Sequence, residues 1–362
     1  MKVAVLGAAG TIAPAIVRDL ASSEEVESIL LLDLRAEQAK AVADRHGLGK
    51  ATARGADARS NFAAQLDEVD ALVNSASYRI NLDAMRACLE AECHYLDLGG
   101  LYRVTGEQLL LGPDFERAGL LAVLGIGSSP GKTNLMAALA ARELGDVDSI
   151  QVYAAGRDLD PPEGPSFPYA VETLLDELKL RPIVLRNGEP VRIAPMTPGG
   201  EVDFGSPLGR SETIYTLHSE MRTFGPSFGC KTASFRLSLA RPLLDRLRSL
   251  AKADEAEVRA VAANAEPPSP QTVSVHVVEA SGHGRTVRHR AVTQPHQEWR
   301  LGGGVISTAA PIAAAVRMLA RGNITARGAL PPETCIGPEE MFSELESRGC
   351  RFELELTEGA TA

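Results

Sequence analysis

"MKVAVLGAAGTIAPAIV" occupies residues 1–17, and how it is read decides the fold. One lysine followed by a long apolar run has the look of a secretory leader. Gly7, Gly10 and Pro14 interrupt the run, however, and charge resumes at Arg18. A strand, a tight turn and a helix fit it better. Gly7-Ala8-Ala9-Gly10-Thr11-Ile12-Ala13 then has the spacing GxxGxxA directly after the strand. Gly7 permits the turn. Gly10 lets a helix N-terminus approach a pyrophosphate, whose charge the exposed N–H groups and the helix dipole favour. Ala13 is small enough for helix to pack on strand.

The next apolar run, "SILLLD", ends in Asp33, where a carboxylate can accept hydrogen bonds from an adenosine ribose. Asp33 would repel a 2′-phosphate, which favours NAD; Arg35, two residues on, is placed to clamp that phosphate, so NADP stays open. Asn74, Ser75 and Ala76 end a further apolar run, "DALVNS". With Gly7, Ala9, Gly10, Thr11, Ile12, Asp33 and Arg35, they form the expected cofactor-binding set.

Outward from this stretch, strand-like runs ("KVAVLG", "SILLLD", "ATARGAD", "DALVNS", "CHYLDL", "LLAVLGIG") alternate with helical patterns over 11–21, 36–46, 81–92 and 103–118, and a short helix near 60–67. Such alternation predicts a parallel, doubly wound sheet covered on both faces. Beyond residue 130 the pattern changes. "SPGKTNLMAALAAREL" reads as a helix with Pro130 near its first turn. Longer alternating segments follow, with hairpin signals at Asn187-Gly188 and Ser281-Gly282, which predicts a largely antiparallel α+β region. "EPPSP" at 266–270 is a loop, "GGGVISTAAPIAAAVRMLARG" is helical again, and the tail "TEGATA" is expected to fray.

"GIGSSPGKTN", residues 125–134, imitates a phosphate-binding P-loop. Counting back from Gly131-Lys132-Thr133, the first glycine of that motif belongs at position 126, which is Ile126. The glycines therefore serve another turn.

The chain has 362 residues, enough for two domains, with 44% hydrophobic and 23% charged residues. A formal net charge of −10 argues against nucleic-acid or anionic-membrane partners. No transmembrane helix is expected. Five widely spaced cysteines, Cys88, Cys93, Cys230, Cys335 and Cys350, without a CxxC, suggest free thiols in a reducing, cytoplasmic setting and no zinc site. His276, His283, His289 and His296 lack metal spacing and read as a solvated strand face with Arg285, Arg288 and Arg290.

Several residues are candidates for chemistry. Asp97 lies where ligands bind, at the end of "CHYLD", or else caps the next helix. In "Tyr215-Thr-Leu-His218-Ser219-Glu220", His218 can move a proton near neutrality, and alternation puts Glu220 on its face if this is a strand. Tyr215 belongs to the same motif. Arg210 and Arg222 flank it, as carboxylate clamps or as surface charges. Tyr169 and Thr173 start a helix that could line a pocket, and Lys132 is either an anion ligand or a solvated first-turn lysine.

"DALVNSASYRINLDAMRACLEAECHYLDLGG", "GIGSSPGKTNLMAALAA", "FGSPLGRSETIYTLHSEMRTF" and "RGALPPETCIGPEEMFSELESRG" together resemble the saccharopine dehydrogenase family across nearly the whole chain. The resemblance implies a Rossmann domain over 1–129 and 305–362, its C-terminal helices returning to it, with an inserted α+β substrate and dimerisation domain over 130–304. It implies an NAD(P)-dependent oxidoreductase acting on the C–N bond of an amino acid or amine through an imine, of the saccharopine or lysine 6-dehydrogenase type, and a homodimer. Reductive condensation of an amine with an aldehyde or oxo acid is the alternative, and a non-catalytic NAD(P)-binding sensor is a third reading. Tyr78 matches a family tyrosine that meets substrate, or simply packs, and the turn with Ser129 and Lys132 is where a substrate carboxylate would sit. Many members carry Asp where this chain has Ser129.

Overall fold

In the computed structural model, which describes residues 1–358, the first apolar run is β1 (Lys2–Leu6) and the turn after it opens α1 (Ala13–Ala21). The chain then passes through β2 (Ser28–Asp33), α2 (Ala36–His46), β3 (Ala51–Gly55), β4 (Ala71–Asn74), α3 (Asn81–Glu90), β5 (His94–Asp97), α4 (Leu101–Leu109), α5 (Gly112–Arg117) and β6 (Leu121–Val123). Next come α6 (Lys132–Leu144), β7 (Ser149–Asp158), α7 (Val171–Lys179), β8 (Ile183–Arg186), β9 (Glu189–Arg192), β10 (Pro198–Asp203), β11 (Arg210–Tyr215), α8 (Glu220–Phe228) and β12 (Thr232–Ser238). The last part holds α9 (Arg241–Leu250), α10 (Glu255–Ala263), β13 (Thr272–Gly282), β14 (Arg285–Thr293), α11 (Gly303–Ala320), β15 (Gly328–Leu330), α12 (Pro332–Cys335), α13 (Pro338–Glu346) and β16 (Cys350–Glu358).

Two compact units result: Met1–Lys132 with Thr308–Leu345, and Thr133–Ser307 with the segment from Glu346 onward. The first unit is a 7-stranded sheet in the order β15-β6-β5-β4-β1-β2-β3, with every pair parallel. Strand order reverses at β1, next to β4, which is the topological switch point of a Rossmann sheet. Both faces are covered: the adjacent residues Leu31 and Leu32 point to opposite faces, and each is 0% exposed. Ile16, Val17 and Leu20 of α1 are buried too, each such side chain contributing about 1.5–3 kcal/mol.

The second unit is a 9-stranded mixed sheet built along β10-β11-β12-β7-β13-β14-β16, with β8 and β9 branching from β12. Its pairs are antiparallel except β7 with β12, which is parallel. Tyr153, Phe204, Val275, Val277 and Val292 form part of its core.

Several expectations need correction. The helix predicted over 103–118 is broken into α4 and α5, because Gly112-Pro113 starts a new first turn. Only a 3-10 turn, Ala63–Gln65, occupies the region near 60–67. The β13–β14 turn falls at His283-Gly284, both at positive φ (51° and 72°), so Ser281 and Gly282 pair within the ladder instead. His276, His289 and Arg290 are buried rather than solvated, while His283 is exposed and paired with Asp146. The C-terminal segment does not return whole to the first unit: β16, which takes in Thr357 and Glu358 of the predicted frayed tail, pairs with β14 in the second sheet. The remaining tail residues, 359–362, lie outside the described residues. Finally, α11 is long and apolar enough to cross a membrane, at 18 residues and mean hydropathy 1.4, but 83% of it is buried inside the protein, as in a core helix.

Candidate functional site

The glycine turn after β1 sits at the switch point of the parallel sheet. Gly7 has φ +79°, and a Cβ there would lie 2.6 Å from the backbone of Ala76, so the turn and the loop after β4 touch. Gly10 N donates to Gly7 O (3.0 Å), closing the turn before α1 begins. No acidic residue occupies the first turn of α1, so nothing there repels an anion. Asp33 is 8% exposed and staples the turn to β2, its Oδ2 accepting from Ala9 N (2.9 Å). Its Oδ1 accepts from Arg35 N (2.9 Å), while Arg35 Nη2 donates to the Ala9 carbonyl (3.1 Å). Ser75 Oγ donates to Leu6 O (3.0 Å). These residues fit a bound dinucleotide: a helix N-terminus bared behind a glycine turn, with an acidic acceptor and a guanidinium beside it. Thr11 is exposed and Ile12 buried at the same turn.

Asn74 behaves differently. Its side chain turns inward, donating to Asn81 Oδ1 (2.9 Å) and the Tyr95 hydroxyl (3.1 Å). That network continues to Asp97, which is 1% exposed. Asp97 Oδ1 accepts from the N–H groups of Gly99 (2.9 Å) and Gly125 (2.7 Å). Its Oδ2 accepts from Asn81 Nδ2 (3.1 Å) and Gln108 Nε2 (2.5 Å). Burial pushes the carboxyl up, against the pull of these donors. With the Tyr95 hydroxyl also bonded to it, both oxygens are saturated, so Asp97 ties together the loops that follow β4, β5 and β6. This geometry argues against the proton-transfer role expected of Asp97. Asn81 and Gln108 were not foreseen, because nothing in a polar residue on a helix marks it as turned inward.

The turn that imitates a P-loop is closed by its own backbone. Gly127 N donates to Pro130 O (2.8 Å), and Lys132 N to Gly127 O (2.9 Å). Gly131 has φ +121°, and a Cβ there would lie 2.4 Å from the N and O of Gly127. Lys132, the first residue of α6, is 1% exposed, which rules out a solvated lysine. The next residue in the chain, Thr133, donates from Oγ1 to Glu220 Oε1 (3.0 Å).

That bond leads into a buried cluster of the second unit. β11 ends at Tyr215 and α8 starts at Glu220, so His218 and Glu220 meet through a loop entering a helix, not through strand alternation. His218 Nδ1 lies 3.0 Å from Glu220 Oε2, and Nε2 lies 4.0 Å from Glu177 Oε1. The imidazole stacks on Phe235, with ring centroids 3.5 Å apart. Tyr169 donates to Glu177 Oε2 (2.6 Å). His218, Glu220 and Glu177 are 6%, 0% and 5% exposed. Burial works against a charged ring, but Glu220 and then Glu177 outweigh it and hold His218 above its usual value. Burial pushes Glu177 up to about 7, even with His218 and the Tyr169 hydroxyl pulling it down. The Tyr169 hydroxyl itself is pushed well above the ordinary phenol range by burial and by Glu177. Beside this group, the hydroxyl oxygens of Thr216 and Ser219 are buried without a hydrogen-bond partner among the described residues.

The remaining candidates lie elsewhere. Arg210 is exposed and paired with Glu201 across β10–β11. The Tyr215 ring faces Arg236, whose guanidinium carbon is 5.0 Å from its centroid. Arg222 is exposed on α8, Thr173 is half-buried on α7, and Ser129 is half-buried in the turn before α6. Tyr78 is half-buried in a 3-10 turn after β4, beneath the Arg79 guanidinium at 4.9 Å. Glu177 was missed, although a signal existed: it falls three residues after Leu174, on the apolar stripe of α7 with Val171 and Leu178.

Sheet order, glycine turn and acidic strand end define a dinucleotide-binding Rossmann unit joined to a second, mixed-sheet unit. The family model of the saccharopine dehydrogenase NADP binding domain matches residues 3–123, all within this unit, and supports NAD(P) as its coenzyme. Carboxynorspermidine synthase of Vibrio alginolyticus is 32% identical over 116 residues, a match spanning 28% of this chain and 28% of that protein. Saccharopine dehydrogenase (L-Glu forming) from Saccharomyces cerevisiae, solved in its apo form, shares the fold with a TM-score of 0.71 at 14% identity, over 98% of this chain and 99% of that one.

Proposed function

We propose that the chain oxidises or forms the carbon–nitrogen bond of an amino acid or amine through an imine, using NAD(P). The observation that carries this reading is the buried imidazole of His218, set between the carboxyls of Glu220 and Glu177. Removing a hydride from the carbon of an amine requires a neutral nitrogen, yet a free ammonium titrates near ~10.4. The protein must therefore take up a proton. Glu220 accepts from Nδ1 and stabilises the imidazolium, which leaves Nε2 as the proton acceptor. Once that proton has been released to solvent, the same nitrogen can take one from water as it attacks the imine, and it gives protons back in the opposite direction. Bound NAD(P) supplies hydride acceptance or donation.

The N-terminus of α6 carries no acidic residue in its first turn, and with Ser129 and the buried Lys132 we assign it to a substrate carboxylate. Asp33 is engaged by Ala9 and Arg35, and Arg35 stands beside it with 58% of its side chain exposed, an arrangement that accommodates a 2′-phosphate and supports NADP as well as NAD. The Vibrio relative is by name a synthase, which favours net bond formation between an amine and a carbonyl compound. The thiols of all five cysteines are free, in keeping with a reducing cytoplasm, and a homodimer is the expected assembly.

The test is a panel of amines, amino acids and oxo acids with each coenzyme in each redox state, followed at the nicotinamide absorbance band. Turnover confined to amine or amine-plus-carbonyl substrates is expected. Coenzyme binding without turnover on any of them would support a sensor instead.

A further inference from the structure

The imidazole of His218 has two carboxyl neighbours, but the proposed chemistry uses only Glu220. The other side of the ring is equally organised. Nε2 faces Glu177 Oε1 at 4.0 Å, and the other oxygen of Glu177 is held by the Tyr169 hydroxyl at 2.6 Å. Leu217 N donates to the Glu177 carbonyl (3.4 Å), so the loop carrying His218 is tied to the same turn of α7. His218, Glu220 and Glu177 are buried, while Tyr169 at the end of the row is half-buried. Around the row, α6 brings Thr133, α7 brings Glu177 and Asp176, α8 brings Glu220, β12 brings the uncharged Phe235, and the segment before α7 brings Tyr169.

We propose that Glu177 is the positioning residue that shares the catalytic proton with His218: the proton taken up at Nε2 passes to Glu177 Oε1, and Tyr169 holds the receiving carboxyl. This rests on the proposed amine chemistry and adds to it the fate of the proton. In the step, the Nε2–H bond breaks and an O–H bond forms. Imidazolium and carboxylate become neutral imidazole and neutral acid, and no electrons move. At 4.0 Å the two atoms stand beyond hydrogen-bond length, so the transfer runs through one bridging water or after the groups close by about 1 Å. A second carboxylate facing Nε2 in a buried site makes both protonation states accessible, because only one proton is distributed over the pair. A lone buried carboxylate would be costly; here the imidazolium and the Tyr169 hydroxyl compensate it.

Two readouts separate this claim from the reading it rests on. The first needs no turnover: the imidazole nitrogens of His218 are followed across pH by long-range proton–nitrogen NMR in the full chain, with His218→Ala giving the assignment. In Glu177→Gln the His218 titration is expected to move down, since one of two anions favouring the imidazolium is gone. The second is the pH profile of kcat/KM on whichever amine the wild type turns over. Glu177→Gln should shift its acidic limb in the same direction. The loss in kcat/KM should be smaller than the ~10²–10⁴ that a direct acid–base group supplies. Tyr169→Phe, a milder change, removes a donor that favours the Glu177 carboxylate and should displace the coupled titration. It decides the matter should Glu177→Gln not fold. An unmoved His218 titration in these variants overturns the proposal and leaves Glu177 as packing. A wild type inert on every amine, with the NMR shift present, overturns the proposed function but not the proton sharing.

Discussion

Arg35 and Asp33 occupy the position that separates the two nicotinamide coenzymes, and only side-chain geometry could weigh them. From sequence, Asp33 favoured NAD by repulsion of a 2′-phosphate. In the fold its oxygens are already bonded to Ala9 N and Arg35 N, and the guanidinium lies across the turn at Ala9 O. A partly neutralised carboxylate beside an exposed guanidinium repels a phosphate far less. Arg35→Ala should therefore weaken NADPH binding by roughly 10–100-fold, the loss of a charge-assisted pair of about 1.5–3 kcal/mol, and leave NADH binding nearly unchanged. Fluorescence titration with both coenzymes checks this; equal losses for the two would contradict it. The residue scale is also where sequence reading was weakest. Asp97 was legible as a carboxylate at a strand end, but its donors come from residues 81, 95, 99, 108 and 125, which only the tertiary fold assembles. His218 and Glu220 were legible as a pair, although the reason given, strand alternation, was not the one the loop and helix use.

Elements were more legible where periodicity or turn chemistry is local. β1, β2 and α2 follow their apolar runs, and the Asn187-Gly188 turn stands where the dipeptide predicts, with φ of 52° and 82°. β15 and β16 went unread. The first is three residues long, too short for any pattern, and the second, "CRFELELTE", alternates cleanly but lies in a C-terminal segment expected to be helical. The segment 125–131 shows why a motif can mislead: its glycines are needed for backbone closure on Gly127 rather than for a phosphate. Gly131→Ala should therefore cost about 1–3 kcal/mol from the strained φ alone, with more from the collision on Gly127. Denaturant unfolding of the variant measures this. A variant as stable as the wild type would mean the turn relaxes freely.

At the scale of the whole molecule, the division into two units followed from the change of pattern near residue 130, whereas the assignment of the last strand to the second sheet depends on a long-range pairing with β14. The first unit gathers charge on α1, α11 and α13. Arg317 binds Asp19 (2.7 Å) and Glu344 (2.8 Å), and Arg321 binds Glu344 and Glu25. The Ser23 hydroxyl, then Arg321, hold Glu25 down from 4.5 to about 2, and Arg317 and Arg321 hold Glu344 down against its burial. Between those values the unfolded chain binds more protons than the folded one, so stability falls as pH falls from about 4.5 toward 2. Calorimetry across that window should show Tm falling, and Arg321→Ala should flatten the fall. A wild-type Tm that holds steady from neutrality to pH 3 would contradict the network's role.

The most direct measurement of the central claim uses a coenzyme deuterated at the transferable nicotinamide position. The reduced, deuterated NAD(P)H would be incubated with the full chain, an amine and an oxo acid, and the product analysed by mass spectrometry and NMR. One deuterium is expected on the carbon that bears the new nitrogen. Deuterium on a carbon bearing a hydroxyl would instead make the chain a carbonyl reductase and contradict the account.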